Sequence, residues 1–177
     1  FVEKRVAILG GSTTSELTNI LEIFLLKDGI KPIFYESEYN KYYEDALFAN
    51  DELDQFKPDI IYVHTSVVNI TAFPSALDSV EKIDQLASAE LAKFEAIWDG
   101  LQRYNCAIIQ NNFDFPLTRS LGNLDCYDPH GKVHFISRLN ADFAIAAQNI
   151  KNIYLNDINY LSSYIGLEAW FDTSLWH

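Results

Sequence analysis

Few residues in this chain combine a reactive side chain with a position that could present it. A Gly-Gly-Ser-Thr turn, Gly10 to Thr13, follows the apolar run Val6-Ala7-Ile8-Leu9 and precedes a helical pattern. Glycines there allow close backbone approach, and the first N–H groups of a following helix carry partial positive charge suited to an oxyanion or a phosphate. Ser12 therefore reads either as a helix cap or as a nucleophile or anion-contacting hydroxyl. A serine nucleophile needs a base, and the base needs an orienting acid. Of the four histidines, His64 directly ends an apolar run and fits a packed structural role. His130 and His134 flank Gly131, which breaks any helix that could align them as metal ligands. His177 follows Asp172 by five residues and has the acid partner that a base requires. Cys106 and Cys126 make neither a zinc nor a redox spacing, so no metal site is expected.

The elements that must position these groups alternate in type. Short apolar runs at 6–9, 32–35, 59–64, 106–110 and 153–155 read as strands, each opened or closed by Pro, Gly or a polar break. Thr13 and Glu16 form a T-x-x-E pattern that predicts a capping box, followed by Leu17, Ile20, Leu21, Phe24 and Leu25 at helical spacing up to Gly29. The longest helical stripe runs through Val80, Ile83, Ala87, Leu91, Phe94, Trp98 and Leu101. A further helix is expected around Asn140 to Asn149, and residues 111–137, with two prolines and two glycines, read as an ordered functional loop. Buried strands alternating with amphipathic helices predict a three-layer α/β fold, a parallel sheet of about five strands in flavodoxin-like order with helices on both faces. Ligands then bind beyond the carboxyl ends of the strands. That rule selects Gly10, Gly11, Ser12 and Thr13 after the first strand, Glu36 and Ser37 after the second, and His64, Thr65, Ser66 and Asn69 after the third; Gln110, Asn111 and Asn112 follow the fourth, and Asp157 and the tail from Asp172 to His177 the fifth. The tyrosine-rich stretch 35–45 reads as a solvated loop and helix start, or as one wall of the pocket.

Composition narrows the partners. With 177 residues and 49% hydrophobic content the chain can bury a full core as a single domain, 1–177. Thirteen basic against 25 acidic residues leave a formal charge of −12, which repels nucleic acid and anionic lipid surfaces. No apolar run approaches the ~20 residues of a membrane span. No signal peptide opens the chain, and a reduced, cytoplasmic setting is expected. The chain has no methionine and begins at Phe1, the expectation being an excised piece of something longer.

Several motifs in order resemble the N-terminal domain of FkbH-like proteins. They are Ile8-Leu9-Gly10-Gly11-Ser12-Thr13-Thr14, Asp59 to Ser66 with Asn69, Gln110-Asn111-Asn112-Phe113-Asp114, Leu121-Gly122-Asn123-Leu124-Asp125 and the closing Trp170-Phe171-Asp172 and Leu175-Trp176-His177. The resemblance covers essentially the whole chain and implies an SGNH (GDSL-type) hydrolase-like fold. In that family it precedes a haloacid-dehalogenase-like (HAD) domain of subfamily IIIC, which handles phosphorylated three-carbon acyl groups and in some members loads a glyceryl unit onto an acyl carrier protein. By the resemblance Ser12 takes the place of the nucleophile, with its N–H as one oxyanion donor. Asn69 supplies another donor, and Asp172 and His177 stand as acid and base.

All four sequence blocks depart from the SGNH pattern. Gly10-Gly11-Ser12 replaces Gly-Asp-Ser, no second-block Gly follows the second strand, Thr65 to Asn69 lacks the Gly-x-Asn form, and Asp-x-x-His is stretched to Asp172 and His177. The expectation is therefore a non-catalytic accessory domain that holds an acyl, phosphopantetheine or phosphate-bearing group, or docks the downstream HAD-like domain. An active serine ester hydrolase or O-acyltransferase using Ser12, Asp172 and His177 is the alternative, and a flavodoxin-like phosphate or nucleotide binder a second one. No Asp-x-Asp-x-Thr motif occurs, so Mg²⁺ and any other cofactor are expected only in the HAD-like domain. A surface of −12 also opposes docking of an acidic carrier protein.

Overall fold

The computed structural model describes residues 1–171, in the order β1 (Val2–Gly10), α1 (Ser15–Lys27), β2 (Ile30–Glu36), α2 (Tyr42–Leu47), α3 (Asp51–Phe56), β3 (Ile60–His64), α4 (Val80–Leu101), β4 (Ala107–Asn111), α5 (Lys132–Gln148), β5 (Ile153–Asn156), α6 (Ile158–Ile165) and α7 (Leu167–Trp170). The strands form one five-stranded sheet in the order β2-β1-β3-β4-β5, and the β1–β2, β1–β3 and β3–β4 pairs are parallel. This is the α/β fold that the alternation of runs predicts. The stripe from Val80 to Leu101 is a single helix with those bounds, about 33 Å long at 1.5 Å per residue.

The chain divides into two compact units. Unit 1 comprises Phe1–Thr65, Ala96–Gln110 and Lys151–Tyr154. Its core is the middle of the sheet: Ala7, Ile8, Leu9, Ile61, Val63 and Ile108 are all fully buried, with Trp98 and Leu101 of α4. Unit 2 comprises Ser66–Glu95, Asn111–Ile150 and the chain from Leu155 onward. Its core is an aromatic cluster in which Phe94, Phe113 and Phe143 meet pairwise at centroid distances of 5.5, 5.1 and 5.1 Å in edge-on geometry, the arrangement that ring quadrupoles favour.

Two expectations need correction. α1 starts at Ser15, one residue after an N-cap at Thr14 that makes no side-chain cap bond, so the capping box of Thr13 and Glu16 does not form. The Thr14 hydroxyl instead donates to Glu36 Oε2 at the end of β2, at 2.7 Å, and Thr18 donates to Glu36 Oε1 at 3.2 Å. The fourth crossover helix begins at Lys132, eight residues before the expected Asn140, which shortens the long loop. Its start is set by Asp125, whose Oδ2 accepts the Val133 N–H at 2.8 Å, a cap supplied from outside the local N-cap position.

Candidate functional site

The turn after β1 is held from three sides within unit 1. A Cβ on Gly10 would lie 2.6 Å from Thr14 Cγ2 and 2.8 Å from the Ser12 carbonyl oxygen, so only glycine fits there. The Gly10 N–H donates to Ser37 Oγ at 3.0 Å, and the Gly11 N–H donates to the His64 carbonyl at 2.9 Å. These bonds tie the turn to the carboxyl ends of β2 and β3. Gly11 is buried and Thr13 exposed, while Ser12 is partly exposed. The Ser12 hydroxyl makes no hydrogen bond to a described residue. The Glu36 carboxylate, drawn in by Thr14 and Thr18, lies beside the first turn of α1. A negative charge there competes with any anion for the partial positive charge of the helix start.

The other strand ends of unit 1 are tied into the fold. His64 Nδ1 lies 3.1 Å from the Tyr62 hydroxyl, and the two rings pack edge-on at 5.4 Å. Thr65 and Gln110, both expected at strand ends, join a buried chain whose pairing the spacing did not announce: Trp98 Nε1 donates to Gln110 Oε1 at 3.0 Å, and Gln110 Nε2 donates to Thr65 Oγ1 at 2.9 Å. None of the three side chains is more than 1% exposed. Buried polar atoms persist because each is paired, and here the pairing fixes Thr65 at the exit of β3.

In unit 2 the remaining candidates are engaged by the protein itself. Asn69 Oδ1 accepts the Ser66 N–H at 3.0 Å across a 3₁₀ turn, which orients its amide with Nδ2 as the donor end. Its carbonyl accepts from Lys93 Nζ at 2.9 Å, and Lys93 pairs with the buried Glu90 at 3.0 Å. Asn111, fully buried, accepts from Asn156 Nδ2 at 2.8 Å. Asn112 donates to Asp157 Oδ1 at 2.8 Å and accepts the Asn159 N–H at 3.0 Å, binding the exit of β4 to the start of α6. Asp114, 1% exposed, accepts from the Val67 N–H at 2.8 Å and from Trp170 Nε1 at 2.7 Å. Asp125, 0% exposed, accepts the Leu121 and Val133 N–H groups, and a Cβ on Gly131 would fall 2.2 Å from the Asp125 carbonyl oxygen. The only advance sign of these two carboxylates was their place in the quoted motifs.

The loop histidine His130 bridges locally: its Nε2 lies 2.9 Å from the Asp78 carbonyl and its Nδ1 2.8 Å from Asp128. The Asp78 carbonyl first, and then the Asp128 carboxylate, hold its imidazolium form above the usual range. Among the described residues no group of three or more His, Cys, Asp or Glu is placed to hold a metal ion, and no helix is long and apolar enough to cross a membrane. Asp172 and His177, the expected acid and base, lie outside the described residues. Ser12 belongs to unit 1 and Asn69 to unit 2.

Each unit carries a cavity. That of unit 1, about 650 Å³, lies among Lys4, Arg5, Asp59 and Cys106 at the amino ends of β1, β3 and β4, opposite the strand ends where a doubly wound sheet binds ligands. Burial, and then the charge of Asp59, push the Cys106 thiol up to about 11, so it is no nucleophile at neutral pH. The cavity of unit 2, about 420 Å³, is walled by Val67, Val68, Phe73, Pro116, Leu117 and Phe171. Thr118 and Lys132 supply its polar groups, and Lys132 Nζ stands 5.1 Å from the centroid of the Phe73 ring.

The family model of the FkbH N-terminal domain matches residues 5–177. The chain belongs to this family. No curated protein matches it in sequence. Among solved structures, the N-terminal part of BF1531 from Bacteroides fragilis, containing a phosphatase domain complexed with Mg, superposes with a TM-score of 0.82 at 18% identity over 99% of this chain. The match takes in 46% of that longer chain, so this FkbH N-terminal domain spans under half its length. The psychrotrophic esterase EstA from Pseudoalteromonas sp., in a structure inhibited by monoethylphosphonate, matches with a TM-score of 0.60 at 10% identity, covering 97% of this chain and 86% of the esterase. The acetyl xylan esterase AlAXEase gives 0.54 at 14% identity, covering 97% and 85%. These likenesses establish the SGNH-type α/β fold and, at such identities, the fold alone.

Proposed function

We propose that this FkbH N-terminal domain is an accessory binding domain that holds an acyl group carrying a phosphate or similar anion, for a biosynthetic acyl or glyceryl transfer completed elsewhere in a longer, cytoplasmic protein. The observation that carries this reading is the cavity of unit 2. Its walls are apolar, which suits an acyl chain, and Lys132, the one cation in its lining among the described residues, suits an anionic head. The altered sequence blocks and the carboxylate beside α1 favour holding over catalysis. Phosphatase or HAD chemistry, with its Mg²⁺, would belong to a downstream domain that this one also docks. A docked acyl carrier protein would have to overcome the −12 charge.

Calorimetric titration with butyryl-phosphopantetheine tests the reading. Saturable binding is expected, weakened about tenfold by Lys132→Ala, the ~1.4 kcal/mol standing near the low end for one charge-assisted bond. Leu117→Glu should abolish it, and an undisturbed isotherm in both variants would refute the assignment.

One observation favours a second reading, a serine ester hydrolase or O-acyltransferase. The Ser12 hydroxyl is partly exposed on a rigid strand-to-helix turn and makes no hydrogen bond to a described residue. In that reading Ser12 attacks the carbonyl, His177 takes its proton, Asp172 orients the imidazole and Asn69 donates to the oxyanion.

A further inference from the structure

The two faces of the sheet in unit 1 are covered unequally. Strand pairing sets Val6, Ile60 and Ala107 side by side, then Ile8, Tyr62 and Ile109, on one face. The alternate residues Ala7, Ile61 and Ile108, with Leu9 and Val63, make the other, and all five are 0% exposed. That face meets α4 through the Trp98 to Gln110 hydrogen bond. On the first face only the β1 positions are buried, near α1, which reaches the end of β2 through Thr14 and Thr18. Ile60, Tyr62, Ala107 and Ile109 stay partly exposed. The Ile108 N–H donates to the Asn152 carbonyl, which sets Tyr154 beside Ile109, and Tyr154 is 58% exposed. α1 itself presents Ile20, Ile23 and Phe24, at helical spacing, 55%, 68% and 60% exposed.

Right-handed crossovers account for the asymmetry. The step from β1 to β2 runs one way across the sheet, and the steps to β3 and β4 run the other way, so α1 falls on one face and α2 to α4 on the opposite one. Parallel sheets in α/β proteins are covered on both faces almost without exception. The strip from β3 to β5 is two strand spacings wide, about 10 Å. Helices pack about 8–10 Å apart, so the strip has room for one helix beside α1.

We propose that this face seats an amphipathic helix from the polypeptide beyond residue 177, laid alongside α1. The family description, an N-terminal domain, and the more than half of the BF1531 chain that lies outside its match support that occupant. A second copy of this chain is opposed by its own charge of −12. The inference is independent of the ligand proposed for unit 2 and is read by different measurements.

The test compares the full-length protein with residues 1–177. Carbene footprinting should label Phe24, Tyr62 and Tyr154 several-fold less in the full-length protein. A photoreactive benzoylphenylalanine in place of Tyr154 should cross-link to residues beyond 177 of the same chain. Tyr154→Asp, at an exposed position, should leave the melting temperature of residues 1–177 unchanged while restoring labelling of Phe24 in the full-length protein. Equal labelling in the two unsubstituted proteins, a cross-link between two copies, or a Tyr154→Asp full-length protein that stays protected would each overturn the proposal.

Discussion

The glycine turn of unit 1 and the Asn and Asp cluster of unit 2 both place polar groups after the carboxyl end of a strand, with opposite results. After β4, Asn111, Asn112, Asp114 and Asp125 are all bound by backbone or side-chain groups, and three of the four are at most 1% exposed. After β1, the backbone is pinned by Ser37 and the His64 carbonyl, yet the Ser12 hydroxyl has no partner among the described residues. The difference is one of burial. A polar group closed off from water must be paired by the fold, and pairing occupies the atoms a ligand would need. A group that keeps access to water can be left for a substrate.

Breaking the saturated side should cost most. Asp114→Ala leaves the buried Val67 N–H and the partly buried Trp170 indole N–H without an acceptor, at about 1–3 kcal/mol each. Urea unfolding should record a loss of about 3 kcal/mol or more, and Asp125→Ala a similar one through Leu121 and Val133. Gly10→Ala drives a methyl group into Thr14 and the Ser12 carbonyl, with an expected cost of about 1–3 kcal/mol by overpacking. Ser12→Ala sharpens the contrast from the other side, because removing an unpaired hydroxyl should move stability by less than about 0.5 kcal/mol.

The smallest effects are those of pH. The Arg5 guanidinium, and then its backbone N–H, hold the Asp59 carboxyl below the usual range. Its contribution is present above the ordinary carboxylate range and is lost as pH falls through the lowered value, which Asp59→Asn should remove from the acid limb of an unfolding profile. His130 behaves oppositely. Its pKa is raised, so the Asp78 and Asp128 contacts stabilise most below the usual histidine range and fade as pH rises through the raised value. An NMR titration of His130 in Asp128→Asn should show that pKa move down.

The sheet and its helices were legible because apolar periodicity is local. α4 runs from Val80 to Leu101 as its stripe predicts, and each strand contains nearly all of the run that announced it. The polar assignments were not legible in the same way. Thr13 and Glu16 spell a capping box, but Thr14 finds Glu36 at 22 residues' separation. Asp114 finds its donors 47 and 56 residues away. Asn111 and Asn112 look like ligand-facing amides in a one-dimensional reading, and the fold uses both to join β4 to the chain around β5 and α6. Which strand-end residues are spent on structure is decided by partners that no local spacing encodes.

The account's central claim, that this domain holds a ligand and does not turn it over, is tested most directly by p-nitrophenyl acetate hydrolysis in the wild type and Ser12→Ala measured side by side. Equal rates near the buffer background are predicted for both. A wild-type turnover or acyl burst that vanishes in Ser12→Ala would contradict the claim and make Ser12 a catalytic nucleophile.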